Sequence, residues 1–101
     1  MTSETYTFKA KLWAWQGGNA SWHFLTLPKK LSAEIRFFTA LPKRGFGSVR
    51  VEARIGGSVW KTSLFPSKQQ GSYILPVKAG VRQAELLAPG KAATVTLRVA
   101  I

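Results

Sequence analysis

The sequence predicts one mainly β domain with two short helices, and three observations support this prediction. Apolar and polar side chains alternate over several runs, as they do in strands that bury one face. Clusters rich in glycine, proline and asparagine separate these runs and mark turns. The length of 101 residues suits a single domain with one core. We therefore expect residues 1–101 to form one unit, a small six-stranded barrel.

The first part of the chain predicts two strands and a helix. Residues 6–15 alternate, with apolar side chains at the even-numbered positions. A turn at residues 16–19 leads to a second strand over Trp22–Leu27, which Pro28 ends because proline cannot donate to a sheet. Apolar residues at helical spacing then predict a short helix, with Ser32 as its N-cap.

The centre of the chain predicts a β-hairpin. Two alternating runs, residues 48–55 and 58–65, flank a Gly-Gly pair, which is typical of a tight turn with positive φ angles. A two-residue loop fixes the register and places Ala53 opposite Trp60, with Ile55 opposite the first residue of the return strand. We expect this face of the hairpin to enter the core, because small and large side chains alternate across it.

The other face of the hairpin is predicted to carry positive charge. Glu52 should pair with Lys61 across the strands, while Arg50 and Arg54 have no predicted partner. Two further cations lie at the tip of a predicted loop over residues 41–47. The candidate contacts to an anionic partner are Lys43, Arg44, Arg50, Arg54 and Lys61.

The last part of the chain predicts a strand, a helix and a terminal strand. Alternation over Ser72–Val77 indicates a strand, and Pro76 indicates that this strand lies at a sheet edge or ends there. Helical spacing over Lys78–Leu87 predicts the second short helix. Alternation returns over Ala93–Ala100, which brings the predicted total to six strands and two helices.

Charge is the strongest global feature of the composition. Fifteen Lys and Arg residues face four acidic residues, and the formal net charge is +11. Such a surplus favours contact with nucleic acid or another polyanion, although it could also serve solubility alone. No apolar run is long enough for a membrane span. The absence of cysteine excludes disulfide and thiolate chemistry and is compatible with the cytoplasm.

The residues suited to catalysis are few. The chain has one histidine, four glutamates, no aspartate and no cysteine, so we expect no catalytic residues, no metal and no cofactor. His23 lies between Trp22 and Phe24 and could act as a general base beside Ser63 or Ser21. We favour a structural or exposed histidine, because no residue that would orient such a base is visible in the sequence.

Several segments together resemble a known family. They are WHFLTLP, GFGSVRVEARIGGSVWKTSLFP, GSYILPVKAGVR and a closing TVTLRV strand. In this order they are similar to the DUF1905 family of small bacterial domains, over residues 6–99. The resemblance implies a double-split β-barrel, broadly akin to the barrels of some DNA-binding proteins. It carries over no site, because the family has no established catalytic residues.

The leading functional hypothesis is a non-enzymatic binding module for an anionic partner, with nucleic acid as the first candidate. The positive charge and the unpaired hairpin arginines favour it, and the barrel resemblance adds a weaker argument from fold. Trp13 and Trp15 share a strand face with Lys9 and Lys11, an arrangement that could stack bases and contact phosphates. For these two indoles we favour burial in the core or against a helix.

Two alternatives stay open at this point. One is a small-molecule-binding or weakly catalytic domain whose pocket lies near Trp22, His23, Lys61 and Ser63. The other is an assembly module that forms a homodimer through an edge strand, for which the strand containing Tyr73 is the candidate.

Overall fold

The structure, a computed structural model, describes residues 3–17, 20–38 and 47–100. Within these ranges the chain is mainly β, as predicted. Its elements are β1 (Ser3–Lys11), β2 (Trp13–Gly17), β3 (Ala20–Thr26), α1 (Lys29–Phe38), β4 (Val49–Ile55), β5 (Ser58–Ser67), β6 (Ser72–Pro76), α2 (Ala79–Ala84) and β7 (Ala92–Ala100). The predicted count of six strands was wrong, because the first predicted strand is divided into β1 and β2 at Leu12.

The seven strands form one antiparallel sheet that curls into a half-barrel. Their order is β1-β7-β4-β5-β6-β3-β2, so the two strands at the ends of the order are neighbours in the chain. Leu12 lies at the bend between them and is 1% exposed. Its amide donates to the carbonyl of Lys91 at 2.9 Å, and its own carbonyl accepts from the amide of Gly90 at 2.8 Å. The bend is therefore paired with the segment that leads into β7.

The central hairpin has the predicted register. Ala53 lies opposite Trp60, and Ile55 lies opposite Ser58. Ala53, Ile55 and Trp60 are all buried, so the predicted core face is confirmed. The turn differs in one respect, because Gly56 has a positive φ of 56° and Gly57 does not. This pattern matches a type II′ turn, in which only the first central residue needs the left-handed region.

Helix α1 begins earlier than predicted, and Ser32 has a different role. The helix starts at Lys29, so Ser32 lies inside it and is buried. The Ser32 hydroxyl lies 2.6 Å from the hydroxyl of Ser72 and accepts a hydrogen bond from the amide of Tyr73 at 2.9 Å. Ser32 therefore connects α1 to β6 and does not cap the helix. Because the helix starts at Lys29, its first turn contains no acidic residue.

Strand β6 is an interior strand. It pairs with β5 on one side and with β3 on the other, so the predicted dimer edge at Tyr73 was wrong. Pro76 marks the end of β6, which was one of the two predicted roles. Helix α2 is shorter than predicted and ends before Leu86, where the backbone turns into the left-handed region at φ 55°.

The core fills the concave side of the curled sheet, and α1 closes it. The largest fully buried side chains come from four strands, the segments beside them and α1. They are Leu12, Leu25, Leu27, Ile35, Leu64, Leu75, Leu97, Val95 and Val99.

Candidate functional site

A cleft opens in the sheet where β5 and β6 diverge. These two strands pair only over three residues, Phe65–Ser67 on β5. The earlier part of β5, around Lys61, therefore has no strand beside it on that side among the described residues. On the far side of the gap, the pairing of β6 with β3 continues, since the amide of Val77 donates to the carbonyl of His23 at 2.9 Å. The chain then turns into α2. The resulting cavity has a volume of about 300 Å³. It is lined by Ser21, Trp22, His23, Trp60, Lys61, Thr62, Pro76, Val77, Lys78, Ala79 and Arg82.

Three cations from separate parts of the fold surround this cleft. Lys61 belongs to β5, Lys78 precedes α2, and Arg82 lies within α2. The Nε of Arg82 donates to the carbonyl of Val77 at 3.2 Å, which holds the guanidinium at the cleft. The described lining residues include no carboxylate. The site therefore carries positive charge without an internal counter-charge, an arrangement that favours an anionic ligand.

His23 lies on the wall of the cleft and is half-buried. Its Nδ1 is buried and has no hydrogen-bond partner among the described residues. Burial lowers the pKa of His23 below its ordinary value, and the nearby charge of Arg82 lowers this pKa further. A buried nitrogen without a partner costs about 1–3 kcal/mol, and such groups are frequent at functional sites.

Two indoles complete the cleft in different ways. Trp60 is 6% exposed and forms part of the inner wall, as the predicted hairpin register requires. Trp22 is 54% exposed and belongs to the convex face of the sheet, where it pairs with Trp15 of β2. The ring of Trp22 is therefore available to a ligand at the mouth of the cleft.

The structure brings together most of the residues of the predicted small-molecule pocket. Trp22, His23 and Lys61 line one cavity. Ser63 lies instead opposite Arg50 on the convex face, and the hydroxyl residue of β5 in the cleft is Thr62. The sequence reasoning did not select Lys78 or Arg82. No local signal in the sequence places them there, because the cleft forms where β5 and β6 stop pairing.

The convex face of the hairpin carries the predicted cations. Arg50 and Arg54 are exposed there, together with Lys61. The predicted placement of Glu52 opposite Lys61 is confirmed, but the ion pair of Glu52 is formed with Arg98. Glu52 lies between Lys61 and Arg98 in the register, and its carboxylate is 3.5 Å from a guanidinium nitrogen of Arg98. The loop cations Lys43 and Arg44 lie outside the described residues.

Aromatic side chains continue this convex face across β2 and β3. Trp15 is 48% exposed, so the prediction of burial was wrong for it. Trp13 is half-buried, with its ring centroid 5.1 Å from that of Phe24 and its Nε1 donating to the Thr26 hydroxyl at 2.8 Å. Exposed indoles and exposed cations thus share one side of the sheet.

A second cavity, of about 560 Å³, lies between α1 and the β5–β6 turn. Lys29, Arg36 and Lys68 lie around it. The buried hydroxyls of Ser32 and Ser72, which line this cavity, are paired with each other. Unlike the cleft at His23, this cavity has no buried polar group that lacks a partner among the described residues.

The chain matches a known protein family over most of its length. The model of DUF1905, described as a domain of unknown function, matches residues 8–97. The chain belongs to the DUF1905 family. The match covers every residue of the cleft in this DUF1905 domain, as well as the convex cations. No curated protein matches the chain.

The described ranges of this DUF1905 domain contain neither a membrane-spanning helix nor a cluster of metal-binding side chains. No helix there has the length and hydropathy of a membrane span. No group of three or more His, Cys, Asp or Glu side chains there could hold a metal ion.

Proposed function

We propose that this DUF1905 domain is a non-enzymatic binding module for an anionic ligand, which it holds in the cleft between β5 and α2. One observation carries the proposal: Lys61, Lys78 and Arg82 converge on a cavity whose described lining has no carboxylate. A hydrogen bond to a charged group in such a site contributes about 1.5–3 kcal/mol. Arg82 loses little freedom on binding, because Val77 already holds its guanidinium.

Titration with inorganic phosphate at low salt tests this proposal. We expect saturable changes in the NMR signals of the His23 ring, the Trp22 indole N–H and the Arg82 Nε–H. Lys78→Ala should weaken binding about tenfold, since it removes one charged contact. The matched control is Lys30→Ala, which removes an exposed lysine of α1 outside the cleft. An absence of saturable changes contradicts the proposal, as does an equal loss in both variants, which would mean that affinity follows net charge.

Nucleic acid is the second candidate partner, and the exposed indoles favour it. Trp15 and Trp22 lie side by side on the convex face, which also carries Arg50, Arg54 and Lys61. Stacking of a base on an aromatic side chain contributes about 1–3 kcal/mol, and cations beside it can contact phosphates. These features support single-stranded nucleic acid more than a duplex, because stacking requires unpaired bases.

Fluorescence anisotropy with a mixed-sequence oligonucleotide tests this second candidate. Affinity should fall steeply between two salt concentrations, because binding releases counterions from the phosphates. Trp15→Ala should weaken binding about tenfold. Phe37→Ala, at an exposed aromatic residue of α1, is the control and should have little effect. The candidate fails if no binding is detected even at low salt.

Two expectations from the sequence stay predictions. One is a cytoplasmic location, and the other is a homodimer. Because β6 is an interior strand, a dimer that forms through strand pairing would have to use another strand.

A further inference from the structure

We propose that the cleft takes a phosphate monoester joined to a planar ring, an inference that rests on the proposed anion-binding function. This chemistry is shared by a free nucleoside monophosphate and by the phosphorylated end of a single strand.

The cleft connects the two faces of the sheet. Trp22 and Lys61 belong to the convex face, because they pair with Trp15 and Glu52 there. Their chain neighbours His23 and Trp60 point to the opposite face, since successive residues of a strand alternate. All four line the same cavity. The site therefore has a deep part beside His23 and a mouth beside the exposed ring of Trp22.

The cations that line the cleft suit a phosphate better than a carboxylate. The planar guanidinium of Arg82 matches two phosphate oxygens. Its Nε already donates to the carbonyl of Val77. Lys61 and Lys78 add two more positive charges. A phosphate monoester carries a charge of about −1.5 to −2 at neutral pH and has three acceptor oxygens. It can therefore contact all three cations, whereas a single carboxylate has two oxygens and one charge.

The mouth of the site suits a planar ring. Trp22 is 54% exposed although it lines a cavity, so one part of its indole is free to stack. A volume of about 300 Å³ is at the small end of ligand pockets and suits one ring with its phosphate. Beyond the mouth, Trp15 offers a second indole to the next ring of a strand.

Calorimetry on the whole chain tests the inference. The probes are inorganic phosphate, ribose 5-phosphate, adenosine and adenosine 5′-monophosphate, all at one low ionic strength. Adenosine 5′-monophosphate should bind about tenfold more tightly than ribose 5-phosphate, because only the former can stack on Trp22. Trp22→Ala should remove this difference, so that adenosine 5′-monophosphate and ribose 5-phosphate bind to the variant with equal affinity. Trp15→Ala is the matched control and should preserve the difference.

The possible failures can be told apart. If ribose 5-phosphate and adenosine 5′-monophosphate bind equally to the unmodified protein, the ring inference is overturned and the anion-binding proposal stands. If adenosine binds as tightly as its monophosphate, the phosphate part is overturned. If none of the phosphates binds, both proposals fall together.

A second arm separates the two sources of the ligand. Two oligonucleotides of one sequence, with a 5′-phosphate or a 5′-hydroxyl, are compared by anisotropy. A preference of about tenfold for the phosphate that is lost in Lys78→Ala, together with weaker binding of both oligonucleotides to Trp15→Ala, assigns the cleft to a strand end. Equal affinities alongside tight binding of the mononucleotide assign it to the free nucleotide.

Discussion

The imidazole of His23 lies where both burial and the charge of Arg82 disfavour its protonated form. Its pKa in the folded state is therefore lower than the value of about 6.5 expected in the unfolded chain. As the pH falls below about 6.5, the unfolded state binds the proton first, and the folded state loses stability. Two further cations, Lys61 and Lys78, line the same cavity.

The first prediction concerns this histidine. His23→Gln removes the titrating group, so the stability of the variant relative to the unmodified protein should rise as the pH falls from about 7.5 towards 5. Urea unfolding at three pH values measures it. The comparison uses the difference between the two proteins at each pH, because contributions common to both then cancel. Parallel stability curves over this range would contradict the prediction.

The second prediction concerns Gly56 in the central turn. Gly56 has a φ of 56°, and a Cβ added there would overlap the carboxylate of Glu85. Ser58 donates to that carboxylate at 2.7 Å, so a displaced Glu85 also loses this hydrogen bond. Gly56→Ala should lower the free energy of unfolding by about 2 kcal/mol. Gly57→Ala is the control, because Gly57 lacks a left-handed φ and its Cβ would meet open space.

Chemical denaturation of the two alanine variants gives the comparison. Because the positions are adjacent in one turn, both variants change the flexibility of the unfolded chain by a similar amount. A difference between them therefore reports the folded-state effect at Gly56. Equal free energies of unfolding would show that Glu85 and the turn adapt without cost.

At the scale of elements, one pair of hydroxyls connects α1 to the sheet. Ser72 donates to the carbonyl of Leu27 at 2.7 Å, so its single hydroxyl hydrogen is used there. Ser32 must then donate to Ser72, and its oxygen accepts from the amide of Tyr73. The two hydroxyls thus form a buried chain with a defined direction.

The third prediction concerns this chain of hydrogen bonds. Ser72→Ala leaves the Leu27 carbonyl and the Ser32 hydroxyl without their partner, and it should cost about 1–3 kcal/mol of stability. In a double-mutant cycle with Ser32→Ala, the two losses should be clearly less than additive. Ser63→Ala, at a half-buried serine of the convex face, provides the control. Additive losses would mean that the two serines act independently.

The elements differ in how far the sequence could specify them. The hairpin register was predictable because a two-residue turn fixes it locally, and Ala53 opposite Trp60 follows from counting. The start of α1 was not predictable, because Ser32 is hydrogen-bonded to Ser72 of β6, which lies 40 residues away in the chain. The division at Leu12 likewise depends on pairing with Gly90 and Lys91, which no local pattern reveals.

The sequence allowed only part of the candidate site to be predicted, because some of its residues meet only in the assembled sheet. Trp22 and His23 were selected as unusual residue types, and Lys61 followed from the hairpin pattern. Arg82 and Lys78 could not be added to them. Their place in the cleft depends on where β5 and β6 stop pairing, which is a property of the assembled sheet.

For the whole molecule, the charge imbalance makes stability sensitive to ions. The net charge is +11, and the described residues contain a single ion pair, between Glu52 and Arg98. Repulsion among the cations should therefore outweigh the few attractions, and added salt should screen it, since the Debye length is about 10 Å at 0.1 M.

The fourth prediction follows from this balance. Sodium chloride between about 0.01 and 0.2 M should raise the melting temperature. Phosphate at the same ionic strength should raise it further, because an ion that binds only the folded state stabilises it by mass action. Thermal unfolding of the unmodified protein and of Lys78→Ala separates the two effects. The extra gain from phosphate should shrink in the variant, while the chloride effect stays. An identical response to both salts would mean that phosphate acts only by screening.

The bend at Leu12 also has a consequence for the order of events during synthesis. Strand β2 can pair with β3 as soon as the next few residues leave the ribosome. Strand β1 must wait for β7, and Thr7 and Thr96, which face each other, are 89 positions apart. Strand β2 is therefore paired early, whereas β1 stays unpaired until translation is nearly finished. Such distant pairings slow folding, and an unpaired strand edge exposed meanwhile invites aggregation.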